Sequence, residues 1–192
     1  MRSSTVNRKT KETDIQVELN IDGSGKTDID TGIGFLNHML TLFGFHGCFD
    51  LKIICRGDLD VDSHHTAEDV GIALGEAFKN ALGDKKGIER YGFVFLPMDE
   101  ALARVALDFS GRPYLVYNVD FNRNMIGEMA TEDFKEFFKG FVNNSMTTLH
   151  IDVLYGENDH HKIEAVFKGF GRALKTASRI TSDSLQSTKG AL

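Results

Sequence analysis

The chain has 192 residues, 41% of them hydrophobic, with a formal net charge of −6 at pH 7 and a sequence pI of about 5.6. Its length and apolar content suffice for a hydrophobic core, which will be rich in Phe because there are 15 Phe and no Trp. The acidic balance disfavours nucleic acid or an anionic membrane as a partner, and no apolar run approaches a membrane span. The N-terminus "MRSSTVNRKTKETD" has no apolar signal core, so we expect a cytoplasmic protein.

The first half of the chain predicts elements in the order β-β-α-β-α. The stretch "DIQVELN" alternates Ile15, Val17 and Leu19 with polar residues, which is typical of a half-buried strand, and a glycine-containing turn leads to a second strand. A helix is predicted in "TGIGFLNHMLTLFGFHG", a strand in "FDLKIICRGD" and a long helix in "DSHHTAEDVGIALGEAFKNALG", which ends near Gly83.

The second half predicts the same order. Two strands flank the turn at residues 110–113, and they are followed by the helix "TEDFKEFFKGFVNNS", the strand "TTLHIDVLYG" and the long helix "NDHHKIEAVFKGFGRALKTAS". Aligning His64 with His160 places Glu68 on Glu164, which indicates an internal duplication.

We therefore predict an α+β fold in which sheets pack against helices. The domain would be a single catalytic unit of two β-β-α-β-α repeats, at about 8–92 and 93–182, with a C-terminal tail at 183–192. The odd spacing of Cys48 and Cys55, in or beside a strand, places them on opposite faces and argues against a disulfide between them. Both cysteines are expected to be reduced and buried.

Each repeat carries a His-His-x-x-Glu motif at the start of a helix. Residues three or four apart share a helix face, so each Glu lies on the same side as its His pair, and an imidazole with a carboxylate one turn away can chelate a divalent cation. Adjacent His residues are about 100° apart around a helix, so one can bind with its own Glu while the other reaches a second ion. The ligands predicted for two such sites are His64, His65, Glu68, His160, His161 and Glu164, with His38 and Glu136 as equivalent residues that complete them.

A solvated or capping His pair is the ordinary alternative for a single motif of this kind. Two copies at equivalent repeat positions hold four of the seven His in the protein, which favours metal binding. A ligand set of imidazole and carboxylate without thiolate suits Mn, Fe, Co, Ni or Zn at a catalytic site. If Glu136 were a solvated carboxylate, His150 would be the first alternative ligand.

Basic residues form a second group, and each taken alone is typical of a solvated charge. Lys168 stands one helical turn after Glu164, on the predicted metal face, where it could bind an anionic substrate such as a phosphate. Arg90, Arg112, Lys175 and Lys189 are the other basic residues that stand out in this acidic chain.

In these residues the chain resembles the imidazoleglycerol-phosphate dehydratase family, essentially from end to end. The motifs that carry the resemblance are R-x-T-K-E-T at 8–13, TGIGFLNHML at 31–40, DSHHTAEDVGIALG at 62–75, SGRPYL at 110–115, GENDHHKIEAVFK at 156–168 and STKG at 187–190. The resemblance implies a duplicated unit like domain 2 of ribosomal protein S5. It also implies a monofunctional enzyme of histidine biosynthesis, with two Mn(II) ions per active site and sites between the subunits of a large homo-oligomer of 24 chains.

The resemblance also implies residue roles. The catalytic residues would be Glu12, Glu68 and Glu164. The substrate and phosphate contacts would be Glu12, His38, His46, Arg90, Arg112, Lys168, Ser187 and Lys189. The family's metal ligands correspond to His38, His64, His65, Glu68, His160, His161 and Glu164. The chain departs from the family pattern at two positions: Asn37 stands where many members have Asp, and Glu136 stands where some have a metal-binding His.

The reaction implied is loss of water from D-erythro-imidazole-glycerol phosphate to give imidazole acetol phosphate. The hydrogen to be removed is on a carbon with no adjacent carbonyl and is not acidic. Two metal ions on the ring nitrogens would stabilise an imidazolate, which can expel the side-chain hydroxyl to form a diazafulvene. Glu12 or a metal-adjacent carboxylate would move the proton, and the phosphate would anchor the substrate.

Two other functions use the same ligands. A di-metal phosphoester hydrolase would release phosphate during turnover. A non-catalytic oligomer cemented by metal would assemble without turnover, and it would leave Lys168 and Lys189 unexplained.

Overall fold

The protein, described as a computed structural model over residues 2–190, folds into two similar halves that each combine a four-stranded sheet with two helices. The first half contains β1 (Ser3–Lys9), β2 (Thr13–Asn20), β3 (Thr27–Asp30), α1 (Gly34–Gly47), β4 (Asp50–Gly57) and α2 (His64–Leu82). Its strand order is β1-β2-β4-β3, antiparallel except that β3 runs parallel to β4.

The second half repeats this arrangement. It contains β5 (Tyr91–Met98), β6 (Ala101–Asp108), β7 (Tyr114–Asn118), a short hairpin of β8 (Met125–Ile126) and β9 (Met129–Ala130), α3 (Asp133–Ser145), β10 (Thr148–Tyr155) and α4 (Asp159–Ser178). Its sheet has the order β5-β6-β10-β7, and β7 runs parallel to β10. The predicted α+β duplication is confirmed.

Each half begins with a strand that the sequence pattern did not predict, so the repeated unit is β-β-β-α-β-α. In β1, Val6 is the only buried hydrophobic side chain, which leaves no apolar alternation to recognise. In β5, Phe93 and Phe95 point outward, which masks the alternation of that strand. The predicted repeat boundary at residues 92 and 93 falls inside β5.

The predicted register between the repeats fits the burial of α1 and α3. When His38 is aligned with Glu136, every buried residue of α1 meets a buried residue of α3; the pairs include Leu36 with Phe134, Met39 with Phe137, Leu40 with Phe138 and Phe43 with Phe141. Both helices then end at aligned residues in the left-handed conformation, Cys48 with φ 53° and Met146 with φ 57°. His38 and Glu136 are therefore structurally equivalent.

The two halves are joined by helix pairs that cross between them: α2 packs on α3, and α4 packs on α1. Glycines lie where the helices of each pair come close together. A Cβ on Gly75 would lie 2.4 Å from the Phe141 carbonyl oxygen, and one on Gly171 would lie 2.4 Å from that of Phe43. In each pair, one helix comes from the first half and the other from the second. Each crossing therefore brings ligand candidates of both halves together.

The two cysteines differ from expectation in one respect. Both are free, and Cys55 is buried in β4 as expected, but Cys48 is exposed at the C-terminal end of α1. Burial raises the pKa of the Cys55 thiol to about 11. No helix in residues 2–190 is long and apolar enough to cross a membrane.

Candidate metal centre

Three predicted ligands converge where α1 meets α4. His38 Nε2 lies 3.4 Å from Glu164 Oε2, and His160 Nε2 lies 3.1 Å from the same oxygen. One donor atom from each of the three residues falls within 4.8 Å of the others. Donors at right angles around an ion at ~2.1 Å lie about 3 Å apart, so the spacing fits a shared divalent cation. Two imidazoles and a carboxylate also suit Mn-like ions chemically.

The carboxylate of this centre is buried and ion-paired. Glu164 is 7% exposed, and Lys168 Nζ contacts its second oxygen. Burial alone would raise the pKa of Glu164, but the bond from Lys168 and the contacts with His160 and His38 outweigh it and hold the pKa below its usual value. The carboxylate is therefore ionised at neutral pH, as a metal ligand must be.

The equivalent residues of the other helix pair lie near one another but do not converge in the same way. His64 Nε2 is 3.8 Å from Glu68 Oε2, and Glu136 accepts a 2.9 Å bond from Lys139. His64 and Glu136 line one cavity of about 700 Å³. Within the described part of the chain, only His38, His160 and Glu164 form a group of three donors that could hold an ion.

His65 and His161 contact carboxylates outside the three-donor group. His65 Nδ1 is 3.0 Å from Asp58 Oδ2, and His161 Nδ1 is 2.7 Å from Glu100 Oε2. These contacts raise the pKa of both imidazoles. The hydrogen bond from His161, followed by that from the Asn158 N–H, lowers the pKa of Glu100 to about 2.

A third carboxylate of this kind is Asp133, which the sequence analysis did not single out either. It is buried at the start of α3, accepts a hydrogen bond from the Ser63 hydroxyl, and lies 3.4 Å from His64 Nδ1. Asp58, Glu100 and Asp133 therefore each face the Nδ1 side of a predicted ligand. Of these three carboxylates, only Glu100 could have been found from the sequence, by its alignment with Glu12. That alignment depends on superposing β5 on β1, and neither strand was predicted.

Glu12, the predicted acid–base carboxylate, lies in the loop between β1 and β2. Its side chain is 52% exposed, and its nearest ionic contact is His65 Nε2, 3.9 Å from Glu12 Oε1. The Glu12 carboxylate makes no hydrogen bond within residues 2–190. The group is therefore close to a predicted ligand without being held in place.

The predicted phosphate contacts are spread over several elements. Arg90 donates hydrogen bonds from Nε and Nη2 to the Asp108 carboxylate, at 2.7 and 3.0 Å. Its Nη1 donates to the Gln186 carbonyl at 2.6 Å, so Arg90 connects the C-terminal tail to β6. Arg112 Nη1 donates to the Ser110 carbonyl, and the Lys189 N–H donates to the Ser187 hydroxyl.

Two predicted substrate contacts besides His38 lie along the α1–α4 crossing. Lys168 contacts the three-donor group through Glu164. Burial lowers the pKa of His46 on α1, and the positive charges of Lys168 and Arg172 lower it further. His46 is therefore neutral at pH 7, with two cationic side chains of α4 nearby.

Comparison with known proteins shows the family to which the chain belongs. The sequence profile of the imidazoleglycerol-phosphate dehydratase family matches residues 31–174. A protein of that name from Clostridioides difficile is 66% identical over 192 residues, covering 100% of both chains. The crystal structure of the Staphylococcus aureus dehydratase shares 43% identity with a TM-score of 0.83, covering 94% of this chain and 99% of its own.

A second crystal structure, of the Pyrococcus furiosus dehydratase, shares 42% identity with a TM-score of 0.84 and covers 97% of this chain and 100% of its own. Fold and sequence together define a carbon–oxygen lyase of the hydro-lyase class. The chain belongs to the imidazoleglycerol-phosphate dehydratase family. It is an enzyme of histidine biosynthesis, and the phosphoester hydrolase alternative is not favoured.

Proposed function

We propose that this hydro-lyase dehydrates D-erythro-imidazole-glycerol phosphate to imidazole acetol phosphate with two divalent metal ions, Mn(II) or a similar ion, in each active site. The observation that carries the proposal is the convergence of His38, His160 and Glu164 between α1 and α4. When bound, the ions would supply Lewis-acid stabilisation of negative charge on the imidazole ring. As an enzyme that handles small phosphorylated metabolites, it is proposed to act in the cytoplasm.

The second ion would be held by His64 and Glu68 on α2 together with Glu136 on α3. The structural equivalence of Glu136 and His38 supports this assignment, as does the cavity that Glu136 shares with His64. The alternative ligand, His150, is exposed on β10 between the buried residues Leu149 and Ile151. Successive strand residues face opposite sides, so His150 points away from the helices.

Glu12 is proposed to move the proton, because its exposed carboxylate lies 3.9 Å from His65 Nε2 and makes no hydrogen bond within residues 2–190. A general base must reach the proton that it abstracts. Glu68 and Glu164 would hold the ions and balance their charge. Lys168 would bind the substrate anion, since its ammonium group already lies at the rim of the three-donor group.

The remaining phosphate contacts would be Arg90, Arg112, Ser187 and Lys189, with His38 and His46 on the ring side of the substrate. Anchoring the phosphate fixes the ring relative to the ligands, so that binding energy is used for orientation. Arg90 supports this role by holding the segment that leads into Ser187 and Lys189.

A large homo-oligomer, with 24 subunits as in the family that the chain resembles, would complete the sites between chains. The outer face of the second sheet supports a subunit contact, because Tyr91, Phe93 and Phe95 are exposed there by 53, 73 and 55%. At the equivalent positions of the first sheet the strand register places Ser3, Thr5 and Asn7. The fold therefore does not require apolar residues at these positions, whereas a subunit contact does.

Product analysis tests this function directly. The protein is freed of metal, supplied with Mn(II) and incubated with imidazole-glycerol phosphate. We expect the ketone imidazole acetol phosphate to appear in proportion to substrate loss, without release of inorganic phosphate. Phosphate release would indicate the hydrolase, and Mn(II) uptake without any product would indicate a structural metal.

A further inference from the structure

Glu12 and Glu100 occupy the same place in the two halves of the molecule. In β1 and β2, Ser3 lies opposite Asn20, and in β5 and β6, Tyr91 lies opposite Asp108. With these pairs superposed, the residue just before β2 aligns with the residue just before β6. A duplicated unit has therefore placed one carboxylate beside each of its two His-His motifs.

The second-half carboxylate is fixed on both sides. Glu100 Oε1 accepts hydrogen bonds from the backbone N–H groups of Glu157 and Asn158, at 3.1 and 2.7 Å, where the chain enters α4. Its other oxygen lies 2.7 Å from His161 Nδ1. An ionised carboxylate can only accept hydrogen bonds, so neutral His161 must carry its single proton on Nδ1, which leaves the Nε2 lone pair free.

In the first half, a different residue places its carboxylate against the Nδ1 of the His. His65 Nδ1 faces Asp58, at 3.0 and 3.3 Å from its two oxygens, and Asp58 directly follows β4. The residue that directly follows β10 is Gly156, which has no side chain to offer. Glu12 therefore does not contact the Nδ1 of a His as Glu100 does. Its carboxylate instead lies 3.9 Å from His65 Nε2.

We propose that the two equivalent carboxylates have different roles. Glu100 is a positioning residue that fixes His161 with Nε2 as the ligand atom. In the first half Asp58 fixes His65 in the same way, which leaves Glu12 free to move a proton. The inference rests on the proposed metal-dependent function and on the metal binding that the sequence predicts for His65 and His161. Carboxylates on the remote nitrogen of a ligand His commonly set its tautomer and raise its basicity.

The substitution Glu100→Gln gives a specific prediction because the backbone fixes the orientation of the amide. The N–H groups of Glu157 and Asn158 require an acceptor, so the amide oxygen takes the position of Oε1. The amide NH₂ then faces His161 Nδ1, which must act as an acceptor. The His161 proton moves to Nε2 and removes the ligand lone pair, although the side chain keeps its shape.

The test uses the full-length protein with ¹⁵N-labelled histidine, free of metal. The pH is ~9, well above the ordinary imidazole pKa near 6.5, because the contact with Glu100 raises the pKa of His161. Solid-state ¹⁵N shifts report the tautomer, and the His161 signals are those that disappear in His161→Gln. We expect Nδ1–H in the wild type and Nε2–H in Glu100→Gln. Mn(II) affinity, followed by the electron paramagnetic resonance of the free ion, should fall about 10–100-fold in the variant.

Glu12→Gln is the matched control, since it makes the same change at the equivalent position. It should retain the wild-type His161 tautomer and Mn(II) affinity and lose turnover. An Nε2–H tautomer in the wild type would overturn the proposal, whether or not the variants fold. So would equal Mn(II) affinity in Glu100→Gln and Glu12→Gln. Absence of Mn(II) binding by the wild type would refute the proposed function instead, while the tautomers would still decide the role of Glu100.

Discussion

Glu164 shows how one side chain can serve two partners. Its Oε2 faces His38 and His160, whereas its other oxygen is paired with Lys168. Lys168 balances the charge of this buried carboxylate. Under the proposed metal binding, an ion at the His side would neutralise the carboxylate, and Lys168 would then be available to a substrate anion.

Glu136 is the proposed carboxylate ligand of the second ion on α3. We predict that Glu136→Ala lowers Mn(II) content and turnover sharply, because it removes a carboxylate ligand of the second ion. Glu136→His should retain activity with a preference shifted toward softer ions such as Zn. Metal content after dialysis and the rate with each ion provide the measurement.

Glu132→Ala is the matched control for that series, since Glu132 is an exposed carboxylate that lines the same cavity. It should leave metal content unchanged. Wild-type metal content and turnover in Glu136→Ala would show that Glu136 is only a surface carboxylate.

The sequence predicts those site residues whose positions are constrained by the internal repeat and by helical spacing. His38, His160 and Glu164 were predicted because helical spacing and duplication constrain them. Glu100 and Asp58 were not predicted, because their positions depend on sheet register and on the loops that follow strands. A loop carboxylate has no periodic signal, so only the folded chain brings it to its His.

Another residue-scale prediction concerns Asp22 and Arg2. Their hydrogen-bonded ion pair lowers the pKa of Asp22 to about 2 from an ordinary 3.8. Because the folded pKa lies below the unfolded one, the contribution to stability is present above pH 3.8 and is lost as the pH falls through 2.

Asp22→Asn should therefore lower the free energy of unfolding at neutral pH by about 1 kcal/mol or less, since the pair is partly exposed. Urea unfolding at several pH values measures the difference between the two proteins. The difference should shrink toward pH 2, and a difference that stays constant with pH would contradict this assignment.

At the scale of elements, the crossing of α1 and α4 depends on Gly171. A Cβ at this position would lie 2.4 Å from the Phe43 carbonyl oxygen, which is backbone and cannot rotate away. Gly171→Ala should therefore force the helices apart and lower the free energy of unfolding by about 1–3 kcal/mol. Chemical denaturation measures the loss.

The adjacent exposed residue provides the control for that change: Arg172→Ala should alter stability by about 0.5 kcal/mol or less. Equal stability of Gly171→Ala and Arg172→Ala would show that the helix crossing tolerates a side chain.

The elements themselves were predictable to the extent that their burial is periodic. All four long helices follow apolar stripes, and β2, β4, β6 and β10 alternate in burial. The strands β1 and β5 were missed because β1 buries little and β5 exposes its aromatic residues. What conceals β5 in the sequence is the same feature that makes its outer face suitable for a subunit contact.

At the scale of the whole molecule, the two sheets differ in the character of their outer faces. Phe93 on β5 is 73% exposed, and its equivalent on β1 is Thr5. If the aromatic face contacts another subunit, Phe93→Glu should shift the sedimentation profile to smaller species, because a charge at an apolar contact is costly. Thr5→Glu, the same change at the equivalent position, should leave the profile unchanged, and an identical response of the two variants would exclude this face.

The dependence of dehydration on metal occupancy tests the central claim most directly. Metal-free protein is titrated with Mn(II), and both the bound ion and the formation of imidazole acetol phosphate are measured, in parallel with His160→Ala and with His150→Ala as the control on the outer face of the sheet. We predict that turnover rises with occupancy to two ions per active site, that His160→Ala loses both metal and rate, and that His150→Ala takes up metal as the wild type does. Full turnover without bound metal, or wild-type metal content and rate in His160→Ala, would contradict the account.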